Sequence, residues 1–245
     1  MKLRDIQHIR YNRWIFSVND NFLCAQPELN SAINYCIQVS ENTSGALQEF
    51  YTLLIDLQKD LVQIKEGIHH RTLSEINSFL NNQNYEHKVI YDLSASELRY
   101  YIKLFNQFAK IKKIRKAEAY RLEAYNSEKI LAVSFIKRDN KPLCINFYRV
   151  TKQRATNLHS FSIQQDLSAS QSGRAHRALH WLDILEFKNM GVSYYDFGGW
   201  YPGQSDRSLL NINRFKENFT THKVKEYSGV IYKKPILILL KKLFS

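Results

Sequence analysis

The residues with the most chemical potential lie between Leu158 and Phe219. Ser168-Ala169-Ser170-Gln171-Ser172-Gly173 is a run of small and polar residues that feeds into a helical pattern starting at Arg174. The first amides of a helix have no partner inside it and point outward, so such a loop is a natural anion site. Ser172, Gly173, Arg174, Ala175 and Arg177 make up that candidate, the arginines adding charge. Asp196 ends a short apolar stretch just before Gly198-Gly199. A carboxylate there can orient or deprotonate an amine, or it can simply be an acceptor that holds the Gly-Gly turn. His159 and His180 are competing bases, although His180 beside Trp181 also reads as a packed core residue. His176 and His180 stand one helical turn apart, which suits a metal pair, but no third ligand is evident and the HExxH form is absent, so no metal is expected. Tyr195, Trp200, Tyr201, Arg207 and Lys216 flank Asp196 in the chain and suit a sugar or nucleotide substrate. Lys216 reads equally as a surface lysine whose stem rests on aromatic neighbours.

These residues need elements to hold them. Asn157 to Ile163 reads as a strand. The helix from Arg174 stops at Met190-Gly191, a C-terminal signal. Val192 to Phe197 is short, aromatic and β-branched, as a buried strand should be. A helix from Leu209 to Phe219 and a last strand from Val224 to Tyr232 follow. Upstream, Ile130 to Ile136 and Leu143 to Val150 are strands, and Ala119 to Tyr125 alternates in the same way, which predicts an antiparallel meander. Ser94 to Glu97 opens a helix reaching about Lys113, and its end, Lys110 to Lys116, is strongly basic: a solvated face suited to the helix dipole, or a patch for a polyanion.

The first half is patterned less clearly. Trp14 to Val18 and Phe22 to Ala25 read as a hairpin around an Asn19-Asp20-Asn21 turn. Helical spacing is read from Glu28 to Val39 and again from Ala46 to Ile64, where Leu47, Phe50, Tyr51, Leu54, Leu57 and Leu61 recur. Thr72 to Glu75 resembles a capping sequence for a helix through Leu80, and Lys88 to Tyr91 is a short strand. Division into 1–92 and 93–245 is expected. The order of elements is an α+β order in which a crossover helix makes the strand after it parallel to the strand before it.

With 245 residues the chain can bury a sizeable core, and its 44% hydrophobic and 24% charged content excludes a disordered class. The net charge of +12 draws anionic partners without choosing among nucleic acid, acidic lipid and phosphate ligands. Three cysteines, Cys24, Cys36 and Cys144, have no zinc-ligand spacing and read as reduced, buried thiols. The N-terminus lacks the apolar stretch of a signal peptide, so a cytoplasmic protein is expected. Lys233 to Ser245 is lysine-flanked and apolar at its centre: an interfacial helix at the inner face of an anionic membrane, or a helix packed on the sheet.

Gly173-Arg174-Ala175-His176-Arg177-Ala178-Leu179-His180-Trp181, Phe187-Lys188-x-x-Gly191, Tyr195-Asp196-Phe197-Gly198-Gly199 and Phe215-Lys216-x-x-Phe219 together resemble the GCN5-related N-acetyltransferase (GNAT) superfamily, in particular its FemAB-like branch. That branch includes peptidoglycan-bridge aminoacyltransferases and acetyltransferases of polysaccharide assembly. The similarity runs over about 158 to 232 and, in pattern, from about 70. It implies a GNAT fold with a mixed, mostly antiparallel sheet flanked by helices and a reduced N-terminal GNAT-like half. It also implies a coenzyme A pyrophosphate at Gly173 to Ala175. Ser170 stands where the family usually has Gln or Arg, which departs from the coenzyme A pattern.

The resemblance implies an N-acyltransferase that moves an acyl group, acetyl foremost, from acyl-CoA to the amine of a nucleotide- or lipid-linked amino sugar. An aminoacyl-tRNA-dependent transferase acting on a cell-wall precursor keeps the fold and changes the donor. A non-catalytic GNAT-like domain that binds nucleic acid or anionic membrane is the third alternative.

Overall fold

The computed structural model describes residues 3–13, 16–42, 45–81, 85–139, 141–163 and 168–233. Its elements in chain order are β1 (His8–Arg13), β2 (Phe16–Phe22), β3 (Ile33–Val39), β4 (Gln48–Asp56), α1 (Leu61–Glu66), α2 (His70–Asn81), β5 (Glu86–Tyr91), α3 (Ala95–Lys112), α4 (Ala119–Ser127), β6 (Leu131–Arg138), β7 (Lys141–Val150), β8 (Arg154–Ser162), α5 (Ala169–Asn189), β9 (Tyr194–Trp200), α6 (Arg207–Glu217) and β10 (Lys223–Tyr232). The chain forms two compact units. Unit 1 comprises Met1–Asp5, Leu53–Gly198 and Gln204–His222; unit 2 comprises Ile6–Thr52, Gly199–Gly203 and Lys223–Ser245. The boundary expected at residue 92 falls inside unit 1, between β5 and α3.

In unit 1 the strands β5, β6, β7 and β8 form an antiparallel meander, and β9 joins β8 in parallel. The crossover through α5 therefore does what its position in the chain dictates, since two parallel neighbours cannot be joined by a tight turn. Alternation assigns the two faces. Phe135, Phe147, His159 and Phe161 point to the α3 side, where Tyr101 and Phe105 meet them. Ser134, Asn146 and Tyr148 point to the α5 side, where they meet Asp183. Beside them Ala175, Ala178 and Leu179 of α5 pack with Phe79 of α2 and with Ile136, Leu143 and Cys144. The helix α3 begins as its sequence predicts, with a capping box between Ser94 and Glu97.

Several local expectations fail, each for a physical reason. Ala119 to Tyr125 is helix α4, not a strand: its alanines, leucine and glutamate are helix formers, and β5 takes the first place in the meander. Residues 46 to 57 carry strand β4, not a helix. Thr52, Leu53, Leu54 and Ile55 are all buried, and a strand buried on both faces reads as an apolar run that periodicity cannot separate from a helix. Thr72 lies inside α2 rather than at its cap. The helix expected from Arg174 starts at Ala169 with Ser168 as its N-cap.

In unit 2, β1 and β2 pair antiparallel, β2 and β3 parallel, and β3 and β10 antiparallel. The segment 28–39, expected as a helix, thus supplies strand β3. Asn19-Asp20-Asn21 is not a turn but the buried centre of β2. Burial of these polar side chains is tolerated because Asn19 and Asn21 donate to the Glu28 carbonyl at 2.7 and 3.1 Å, the Glu28 amide donates to Asn21 at 2.8 Å, and Tyr11 donates to Asp20 at 2.9 Å. The C-terminal segment 234–245, expected as an amphipathic helix, lies outside the described residues.

Asp183 is fully buried and accepts from Ser134 at 2.7 Å, Asn146 at 3.0 Å and Tyr148 at 2.7 Å, with His87 Nε2 at 2.9 Å on its other oxygen. Removing one acceptor here strands several buried donors, each costing about 1–3 kcal/mol. Asp183→Ala is therefore expected to lower unfolding stability by about 3 kcal/mol or more, measured by denaturant titration. A loss under about 1 kcal/mol, the worth of one ordinary hydrogen bond, would contradict this account of the hub.

Candidate functional site

The strands β8 and β9 pair over only three positions: Arg154 with Tyr194, Ala155 with Tyr195, and Thr156 with Asp196. Beyond Asp196 they part. On β8 the register against β7 shifts, with Tyr148 opposite Asn157 and Phe147 opposite His159, so an extra residue bends the strand. On β9 Gly198 takes φ +71°, and a Cβ there would stand 2.7 Å from the Asn157 carbonyl oxygen. Only glycine fits that approach at that φ.

Parting strands leave backbone groups to be satisfied elsewhere. Side chains do it here. The Gly198 amide donates to Asp196 Oδ1 at 2.7 Å, and Lys216 Nζ of α6 donates to the Gly198 carbonyl at 3.3 Å. Asp196 Oδ2 faces Arg154 Nη1 at 3.3 Å and Thr156 Oγ1 at 3.4 Å, all of it buried. The carboxylate thus holds the Gly198 turn and ties β9 to β8. Burial lowers the Lys216 ammonium to about 8, against an opposing pull from Asp196. Since the folded value lies below the ordinary 10.5, the folded state gains stability as pH rises through the interval between about 8 and 10.5.

The histidines are placed differently. His159 stacks on Phe105 at 4.1 Å between ring centroids, and burial lowers it to about 4, so it is neutral at pH 7. His180 is enclosed by Tyr195, Phe197, Phe215 and Phe219. Its Nδ1 meets the Tyr195 hydroxyl, which meets Tyr148, which donates to Asp183. Burial pushes His180 well below its usual range and both tyrosines well above theirs. His176, also lowered to about 4 by burial, contacts Ser162 at 2.8 Å, and Ser162 contacts Ser172 at 2.7 Å. Among the described residues no group of three or more His, Cys, Asp or Glu side chains could hold a metal.

At the start of α5, Ser168 caps the Gln171 amide at 3.2 Å and accepts the Ser172 amide on its carbonyl at 3.0 Å. This leaves the first-turn amides of Ala169 and Ser170 as the outward-pointing pair. Gly173, Arg174, Ala175 and Arg177 lie in the second and third turns, where amides are committed to the carbonyls four residues back. Ala175 is buried, and Arg177 faces Glu75 at 3.2 Å and the Phe215 ring at 5.3 Å. The open amides of the helix start therefore lie about one turn upstream of Gly173 to Ala175, where the anion site is expected. Of the other candidates, Tyr195 lies on the α5 side of β9. Arg207 opens α6 about half a turn around the helix from Lys216 and shares with Arg214 and Asn211 an open groove of about 720 Å³. Trp200 and Tyr201 belong to unit 2, where Trp200 meets Tyr51 and carries Lys223 Nζ over its ring at 3.9 Å.

Sequence reasoning missed Arg154, Thr156, Asn157 and Asp183. Arg154 and Thr156 matter only through the pairing of β8 with β9, and Asp183 reads in the chain as one acid on an amphipathic helix. The extra residue in β8 and the close approach of Gly198 had a single faint signal, the Gly-Gly pair after an apolar strand.

No family model matches the sequence, and no curated protein sequence matches it significantly. Solved structures do match. FemX aligns over 86% of this chain and 68% of its own at TM-score 0.59 and 9% identity. The C-terminal DUF2156 domain of a putative lysylphosphatidylglycerol synthetase from Agrobacterium fabrum aligns over 86% and 70% at TM-score 0.53 and 15% identity. The L-PGS of Bacillus licheniformis aligns over 86% and 71% at TM-score 0.52 and 11% identity. With strands that part beside a crossover helix, the chain has the GNAT-like α+β fold, in the form seen in FemX and these synthetase domains.

Proposed function

We propose that this protein is an acyltransferase whose reaction centre lies where β8 and β9 part. The observation that carries the reading is Lys216: a half-buried lysine whose ammonium is aimed at the Gly198 carbonyl, two residues past the last pair between β8 and β9. Acyl transfer to an amine needs the acyl carbonyl held in a gap, a cation or amide facing the oxygen as charge develops, and the acceptor held in line. The edge of β8 beyond Thr156 has no β9 partner and offers backbone groups to an acyl donor. The acceptor nitrogen attacks the acyl carbon, negative charge gathers on the carbonyl oxygen, and Lys216 turns its ammonium from the Gly198 carbonyl toward that oxygen. Collapse breaks the bond to the leaving sulfur or oxygen, and the proton that the acceptor nitrogen gives up on becoming an amide balances the one the leaving group takes. Asp196 works as a positioning group that keeps Gly198 in place, and the buried neutral histidines support the walls.

The donor read first is acyl-CoA, acetyl foremost, with its pyrophosphate at the Ala169 and Ser170 amides. The acceptor class, an amino sugar linked to a nucleotide or lipid, comes from the family resemblance. A second reading, aminoacyl-tRNA as donor, is favoured by the +12 charge and by the withdrawal of Gly173 to Ala175 into the helix. One of the similar structures is named as a domain of a putative lysylphosphatidylglycerol synthetase. The strands β1, β2 and β3 of unit 2 are what supports the reading of a reduced N-terminal GNAT-like half.

Donor choice is tested by the thermal midpoint with and without millimolar acetyl-CoA. A ligand at a hundredfold its dissociation constant adds about 2.7 kcal/mol, a rise of several degrees in a domain this size. Ser170→Asp is expected to abolish that rise without lowering the midpoint of the free protein, because an acid in the first turn suits the helix dipole but repels a phosphate. No rise, with turnover on aminoacyl-tRNA, would transfer the assignment to the second reading.

The role of Lys216 predicts a pH profile. Activity requiring its ammonium falls above about pH 8. Lys216→Met is expected to lower kcat by about 10²-fold or more, as loss of an oxyanion-facing group does, without reducing stability at pH 7. Lys216→Arg is expected to remove the alkaline limb. An unchanged limb in that variant would assign it to another group.

A further inference from the structure

Tyr100, Lys103, Gln107 and Ile111 follow one another at three- and four-residue steps along α3, and all four are exposed. Ile111 is 62% exposed, Tyr100 53%, and Ile114, just past the helix, 50%. Residues 103–117 hold six cations and no acid. Arg115 pairs with Glu118; among the described residues Lys110, Lys112, Lys113 and Lys116 are all exposed and none is in an ion pair.

This end of the helix is held firmly rather than frayed. Lys113 takes the left-handed conformation, φ 54° and ψ 39°, a position that favours glycine. The Ile114 amide closes back on the Ala109 carbonyl at 3.0 Å, and the Ala117 amide donates to Asn106 at 2.9 Å. Glu118, joined to Arg115 and Arg121, anchors the following segment. In such a turn the apolar residue after the cap ordinarily tucks against the helix. Here Ile114 stays half exposed beside Ile111, and a lysine occupies the position that glycine would fill with less strain.

The helix dipole accounts for Lys110 and Lys112. It does not account for two isoleucines displayed among four unpaired lysines. We propose that this surface seats on an anionic lipid bilayer, with Ile111 and Ile114 entering the boundary between headgroups and acyl chains and the lysines resting on lipid phosphates. Interfacial binding combines buried apolar area with attraction to anionic headgroups, and both are present on one rigid turn. A nucleic acid would engage the lysines but would give the aliphatic side chains nothing; strands of RNA are held by stacking on aromatic and arginine side chains. The outward stripe extends the surface along α3 for roughly 16 Å to Tyr100, an aromatic suited to the interface. The proposal is independent of the acyl-transfer reading.

The test uses the full chain carrying Ile114→Cys, labelled with a polarity-sensitive fluorophore. Cys24, Cys36 and Cys144 are buried, so the label goes to position 114. Vesicles of phosphatidylcholine with one third phosphatidylglycerol are expected to shift the emission to the blue. Phosphatidylcholine alone is expected to need at least tenfold more lipid, and Ile111→Ser in the labelled protein to raise the lipid requirement about tenfold at unchanged thermal midpoint. Sedimentation with vesicles without an emission shift would place the chain on the membrane through another segment and overturn the proposal. So would a shift indifferent to Ile111→Ser, or one produced by tRNA and not by vesicles.

Discussion

Everything at the candidate site depends on β8 and β9 staying together for three pairs and then separating. A sheet that continued would fill the gap with its own hydrogen bonds, and a sheet that separated without compensation would bury orphaned backbone groups. The compensation falls on one residue. Gly198 has its amide taken by Asp196 and its carbonyl taken by Lys216, and its lack of a side chain lets it stand against Asn157. Asp196 can do this because Arg154 and Thr156 hold its other oxygen. The strand separation is thus held by a small polar assembly, not by looseness.

The opposite face of β9 shows the matching constraint. Tyr195 and Phe197 point toward α5 and α6, where His180 sits among aromatic rings. Its Nδ1 is satisfied along the chain through Tyr195 and Tyr148 to Asp183. A polar network this deep is stabilising only when complete. What it gives in return is registry: α5 cannot slide along the sheet without breaking contacts to three strands at once.

How far the chain could be read depended on whether the signal was local. The capping box at Ser94, the stop at Met190-Gly191 and the parallel crossover were legible, because caps, stops and crossover order are properties of short stretches. Strand β4 was not, because burial on both faces erases the alternation that identifies a strand. Asn19 to Asn21 resembled a turn because only the distant Glu28 and Tyr11 make their burial possible. At the site, Asp196, Gly198 and Lys216 stood out by type and spacing, but their shared dependence on one glycine's backbone belongs to tertiary structure. The start of α5 was read about one turn too late because Ser168, five residues before Gly173, caps the helix better than the glycine that drew attention.

Lys216 joins these observations in one chemical argument. An ammonium that rests on a backbone carbonyl while largely withdrawn from water pays desolvation for its charge. Its depressed value of about 8 expresses that burial. An oxygen that acquires negative charge nearby offsets the desolvation, so the interaction strengthens as charge develops and is weaker with a neutral carbonyl. Such an asymmetry between ground state and transition state is what makes a group catalytic rather than merely adhesive. On the proposed reading, the burial that makes Lys216 costly to the fold is therefore the same feature that suits it to acyl transfer.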